Sequence, residues 1–235
     1  MTAIADTRPA AVAREPIYVW QVPVRVTHWL IFFSILILSA TGYYISHPFI
    51  GVPGPAASGH FAMGTVRAIH LYAAIVFSLA VLVRIYWMFA GNSYARLSQL
   101  IPLSLERARG LGNTLLYFCF LRRDLDRAPG HDPLAGATYG FIFLVYLTMI
   151  ATGLALYTVY APVNSPFQFF RVLIPMVGGL QAARLAHIIA IWVISVFAVI
   201  HIYCVWLFSD VQRFGIADSI FSGYSFLPKG KADDS

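Results

Sequence analysis

Charge is what this chain lacks most. Of its 235 residues only 11% are Asp, Glu, Lys or Arg, against roughly 25% in an ordinary soluble domain. Hydrophobic residues make up 59%, and the mean hydropathy is +0.73. These values exclude a typical soluble domain and predict an integral membrane protein. Cysteine is scarce as well. Cys119 and Cys204 lie in separate segments, with no CxxC and no CxxCH. A disulfide framework, a zinc ribbon and covalent c-type haem attachment all lack their spacing. A cleavable signal peptide is not visible either, because the first sixteen residues are polar and rich in Pro, Ala and Arg. The first apolar run therefore reads as a retained anchor. The net charge of +6 does not mark a nucleic-acid binder, since the basic residues form no single patch. They sit outside the apolar runs, as membrane topology signals do.

Four apolar runs are long enough to span a bilayer, which takes about 20 helical residues. They cover about 24–45, 66–89, 134–157 and 183–208. The predicted fold is all-α, an integral membrane four-transmembrane-helix bundle, read as one domain over 1–235. Pro23 suits the first turn of the first helix. A long polar loop, 90–133, separates the second and third. Within it "LGNTLLYFCFL" (111–121) is apolar but short, which predicts a membrane-surface helix or a buried loop helix. "GHDPLAG" (130–136) reads as a helix entry with Asp132 as N-cap and Pro133 in the first turn. Gly136 and Gly140 form a small-xxx-small step suited to close packing of the third helix. Trp20, Trp29, Trp87 and Trp206 fall near one interface, as an aromatic belt would. The tail after about residue 225 is expected to be mobile. No low-complexity tract or internal repeat stands out. Thirteen Lys and Arg residues fall on the side of the termini and the long loop, and three on the other. Both termini and the loop should therefore face the cytoplasm, with a bacterial inner membrane the best fit.

Ionisable residues are costly in lipid and mark function when they recur. Of seven histidines, His47, His60 and His131 fall in loops, while His28, His70, His187 and His201 fall in helices. One intramembrane histidine is most often a hydrogen-bonded packing residue, and four at matched depths are harder to dismiss as such. The up-down order of the helices pairs His70 with His187 near the outer face and His28 with His201 near the cytoplasmic face. "HIIAIWVISVFAVIH" (187–201) carries its two histidines fourteen residues apart, close to four turns and roughly 21 Å on one helix face. Two bis-histidine sites at two depths suit two low-spin haem b groups. Zinc fits poorly, because the helices offer no further Cys, Asp or Glu ligands at those levels. Three of the histidines follow an arginine by three residues: Arg25–His28, Arg67–His70 and Arg184–His187. Each arginine shares a helix face with its histidine and lies nearer the surface, where it could grip a haem propionate bidentately or simply snorkel.

The stretches "VPVRVTHWL", "TGYYI", "MGTVRAIH", "VRIYWMFAGNSYAR", "GHDPLAGATYGF", "TGLALY" and the fourth helix together resemble the b-type cytochrome subunit of membrane-bound nickel–iron (uptake) hydrogenases. The likeness covers roughly 17–225. It implies that the four helical histidines are the haem ligands. It also implies that the subunit anchors a periplasmic-facing hydrogenase, accepts electrons from the iron–sulfur small subunit next to the nickel–iron large subunit, and delivers them to quinone. No catalytic residue is assigned. The same four-helix plan occurs in cytochrome subunits of formate dehydrogenases and thiosulfate reductases. A histidine-dependent proton or metal transporter is the alternative of a different class, and it lacks paired intramembrane carboxylates. A plain membrane anchor, with histidines that only pack, is the third.

Overall fold

The computed structural model describes residues 14–48, 62–101, 104–123, 133–212 and 215–228. Long apolar runs without internal proline or charge clusters form helices, because only intrahelical hydrogen bonds satisfy the backbone in lipid. Four such helices appear: α1 (Val22–Ser46), α2 (Ala62–Ala90), α4 (Pro133–Tyr157) and α6 (Leu180–Gln212). Each contains the run expected of it and extends past at least one end. Pro23 sits in the first turn of α1, and Pro133 opens α4; Asp132 lies outside the described residues. All four are long and apolar enough to cross a membrane.

α1 packs along α2, and α4 along α6, so the bundle is two helical hairpins side by side. Ile31, Phe77, Ala80, Val81, Ile142, Tyr146, Met149, Ala190 and Ile194 fill the core between them. The Phe77 and Tyr146 rings meet edge to face at 5.2 Å and join the two hairpins. The outward faces are apolar too. Tyr72 is 70% exposed, Trp192 67% and Leu79 58%. A soluble fold would not display so continuous an apolar surface, whereas lipid is its proper solvent. The chain is a multi-pass membrane protein.

Shorter elements close one end. In the long loop, α3 (Leu105–Phe118) starts six residues before the apolar stretch that predicted it, because Ser104 caps it by accepting from the Arg107 N–H. It packs against α4 and leaves Leu105, Leu115 and Leu116 exposed, as a membrane-surface helix would. The Gly136/Gly140 step is occupied differently from the expectation. It receives the 97–100 segment of the long loop, with the Arg107 side chain of α3 beside Gly136. A Cβ at Gly136 would stand 2.1 Å from the Gln99 carbonyl oxygen, and one at Gly140 3.0 Å from that of Leu100.

Between α4 and α6 the chain makes a 3-10 turn and the one-turn helix α5 (Leu173–Met176). After α6 comes α7 (Ile216–Ser222). Beyond it, β2 (Tyr224–Pro228) pairs antiparallel with β1 (Arg14–Tyr18). The expectation of a mobile tail from residue 225 is therefore corrected as far as Pro228; the remainder, 229–235, lies outside the described residues. Two tryptophans assigned to the aromatic belt take part in this closure. Trp20 donates its indole N–H to Ser219 Oγ at 3.0 Å, and Trp87 donates to Gln21 Oε1 at 2.8 Å. The end bearing the ribbon is called proximal below, and the opposite end distal.

Candidate haem-binding site

α1 and α4 both run from the proximal to the distal end, and α2 and α6 run back. His70 and His187 thus fall in the third turns of α2 and α6, toward the distal end, and His28 and His201 lie toward the proximal end of α1 and α6. The His28 and His201 rings approach one another directly, and His70 and His187 lie at one level at the distal end. The structure brings all four together in the two pairs expected from spacing.

The proximal pair has the geometry of a two-ligand site. The His28 and His201 ring centroids are 6.3 Å apart, with planes at 53°. Phe197 stacks on His201 at 5.4 Å, and Tyr139 from α4 places its hydroxyl 3.2 Å from His201 Nδ1. His28 Nδ1 and Arg25 Nε are buried without a hydrogen-bond partner among the described residues. A donor set of two neutral imidazoles with an unsatisfied guanidinium N–H beside it fits an iron porphyrin with an anionic edge. Among the described residues no three His, Cys, Asp or Glu side chains gather as a metal cage.

The distal pair is held by a different device. Thr41 Oγ1 on α1 lies 2.8 Å from His70 Nδ1, and Thr152 Oγ1 on α4 lies 2.9 Å from His187 Nδ1. The next residue is glycine in both cases. A Cβ on Gly42 would meet His70 Cε1 at 3.3 Å, and a Cβ on Gly153 would meet His187 Cε1 at 3.3 Å. Each ring therefore lies against the backbone of the helix beside it.

The arginines divide. Arg67 reaches the distal surface, with its guanidinium 5.2 Å from the centre of the Tyr160 ring. Arg184 is exposed there too, and makes a long contact to Gln181 at 3.5 Å. Arg25 donates from Nη1 to the Phe221 carbonyl, so one arm ties α1 to α7. His47 is exposed at the end of α1 and stacks on Tyr43. His60 and His131 lie outside the described residues.

Sequence reasoning passed over four further groups at these levels. Two are the threonines, whose signal was the T-G dipeptide occurring in both α1 and α4. The third is Tyr139, thirteen residues before Thr152 as His28 is thirteen before Thr41. The fourth is Arg84, 7% exposed, which donates to the Ala95 carbonyl at 3.3 Å and lies 5.7 Å from the centre of the Phe143 ring. It follows His70 by fourteen residues, as His201 follows His187.

A four-helix membrane bundle with paired histidines at two depths defines a class, the membrane-bound b-type cytochromes. Comparison with known proteins narrows it. The prokaryotic cytochrome b561 family matches residues 19–223, and the chain belongs to that family. It is 35% identical over 216 residues to a protein of Rhizobium leguminosarum bv. viciae named a probable Ni/Fe-hydrogenase B-type cytochrome subunit, covering 91% of this chain and 90% of that one. A protein of the same name from Cupriavidus necator is 35% identical, covering 88% and 86%. The probable Ni/Fe-hydrogenase 1 B-type cytochrome subunit of Escherichia coli K12 is 31% identical, covering 91% and 92%.

Proposed function

We propose that this chain is the two-haem membrane subunit of a nickel–iron hydrogenase, which it anchors, and that it passes electrons from the iron–sulfur small subunit to quinone. The observation that carries the reading is the pairing of four helical histidines at two depths. The names of relatives aligned over nearly their whole length supply the partner. His70 and His187 would hold one haem b and His28 and His201 the other. Bound there, the two groups supply one-electron carriers in an apolar interior. The protein keeps that interior dry: Phe77, Tyr146 and Ile194 are buried between the two levels. Arg67 and Arg184 are placed to receive propionates at the distal surface, and Arg25, with its unsatisfied Nε, at the proximal level. By the distribution of basic residues the proximal end faces the cytoplasm of a bacterial inner membrane, and the distal end faces the hydrogenase.

Purified protein should carry two b-type haems per chain. His70→Ala or His187→Ala should each remove one haem, and His28→Ala or His201→Ala the other. A haem-free chain, or four variants that all keep two haems, would refute the ligand assignment. Co-purification tests the partner: a formate dehydrogenase or thiosulfate reductase in the complex in place of a hydrogenase would overturn it.

A further inference from the structure

The threonine contacts fix more than ring position. Thr41 Oγ1 is 2.7 Å from the Ile37 carbonyl, one turn back in its own helix, and Thr152 Oγ1 is 2.7 Å from that of Thr148. A helical threonine commonly donates to this carbonyl. A hydroxyl has one proton, and here the carbonyl takes it. The threonine oxygen can then only accept from the imidazole, so His70 and His187 must carry their protons on Nδ1. With Nδ1–H so engaged, Nε2 keeps its lone pair and is the ligating atom. The glycine beside each threonine removes the Cβ that would push the ring away.

We propose that Thr41–Gly42 and Thr152–Gly153 form a duplicated cradle that sets the tautomer and orientation of the two distal haem ligands, and that the two hydroxyls tune the distal haem alone. This rests on the two-haem reading above. Accepting a hydrogen bond from Nδ1–H makes the imidazole a stronger donor to iron, which favours the ferric state and lowers the reduction potential. The proximal ligands are furnished otherwise. His201 meets the phenol of Tyr139, and His28 Nδ1 meets no acceptor among the described residues. The threonines are positioning residues, acting on the iron only through the rings.

The test is a potentiometric titration of the purified holoprotein, followed optically and by the low-spin ferric EPR signals. Thr41→Val and Thr152→Val keep the side-chain shape and remove the acceptor. Each should move one haem, the one lost in His70→Ala, to higher potential and alter its EPR signal, leaving the other unchanged. Thr41→Ser and Thr152→Ser restore the hydroxyl and should return the wild-type values. If a valine variant sheds its distal haem while the serine variant keeps it, the hydroxyl is again the cause. Unchanged potentials and spectra in both valine variants, or serine variants that behave like valine, would overturn the proposal while two haems per chain persist. Wild-type protein with fewer than two low-spin haems would instead overturn the reading beneath it.

Discussion

At the scale of single residues, the distal site depends on two missing methyl groups. Gly42 and Gly153 face the Cε1 atoms of His70 and His187 at a distance where an added Cβ would sit at 3.3 Å. That is tighter than ordinary van der Waals contact, and the adjacent ring atom, Nδ1, is held by the neighbouring threonine. Gly42→Ala and Gly153→Ala should therefore displace the ring, at a cost of about 1–3 kcal/mol typical of overpacking. The expected result is partial loss of the distal haem and a broadened distal EPR signal. Gly64→Ala is the control, because nothing lies within 4 Å of a Cβ at that glycine; it should leave haem content at two per chain. The four ligand candidates were legible in the sequence, since an imidazole in lipid is conspicuous and fourteen residues is nearly a whole number of turns. The threonines were not. A threonine in an apolar helix looks the same in sequence whether it only bonds its own backbone or also reaches a neighbouring ring. Arg84 was hidden for a related reason: near a helix end it counted as a topology charge, and only packing shows it buried.

At the scale of elements, the spans were legible and the clasp at the proximal end was not. Helices in lipid follow from composition and length, whereas β1 and β2 come from opposite ends of the chain and are too short to announce themselves. Neither strand has a partner until the bundle brings the ends together. Gly223 is the pivot of this clasp. It stands at φ +91° and accepts from the backbone N–H groups of Val19 at 2.8 Å and Trp20 at 3.1 Å. A Cβ there would lie 2.6 Å from the Tyr18 ring and 2.8 Å from the Trp20 carbonyl oxygen. A non-glycine residue in this left-handed conformation costs about 1–2 kcal/mol before any clash is counted. Gly223→Ala should therefore open the clasp, loosening Trp20 from Ser219 and Arg25 from Phe221. In membrane vesicles with the proximal face outward, limited proteolysis should cut the N-terminal segment several times faster than in wild type, with the four spans intact. Equal protection of both proteins would show that the clasp does not depend on this glycine.

At the scale of the whole molecule, the two hairpins carry a repeat that linear reading missed because its two copies differ at two of their six key positions. Thr41–Gly42, Arg67 and His70 of the first correspond to Thr152–Gly153, Arg184 and His187 of the second. His28 and Arg84 of the first correspond to Tyr139 and His201 of the second. Where the copies agree, the distal pair sits as equivalents across the bundle. Where they diverge, each half supplies one histidine from a different helix, and the proximal level acquires the Tyr139 phenol at His201 and the buried Arg84 guanidinium. The two ends are thus chemically unlike, which suits the proposed acceptance of electrons at one face and their delivery at the other.

The proposed orientation turns this polarity into a measurable consequence. Thirteen of the sixteen Lys and Arg residues belong to the termini, the long loop and the adjoining helix ends, and under the proposed orientation the proximal end would face the cytoplasm. Electrons entering at the distal level would then cross most of the hydrocarbon layer before reaching the proximal one. If quinone is reduced at the proximal level with cytoplasmic protons, negative charge moves inward and meets protons taken up on that side. In proteoliposomes holding the hydrogenase complex with its distal face outward, hydrogen-dependent quinone reduction should build a membrane potential, negative inside, that an uncoupler collapses. The rate should fall by an order of magnitude or more in His28→Ala or His201→Ala, and the potential with it. Electroneutral turnover at the wild-type rate would place quinone reduction, or its proton uptake, at the distal face instead.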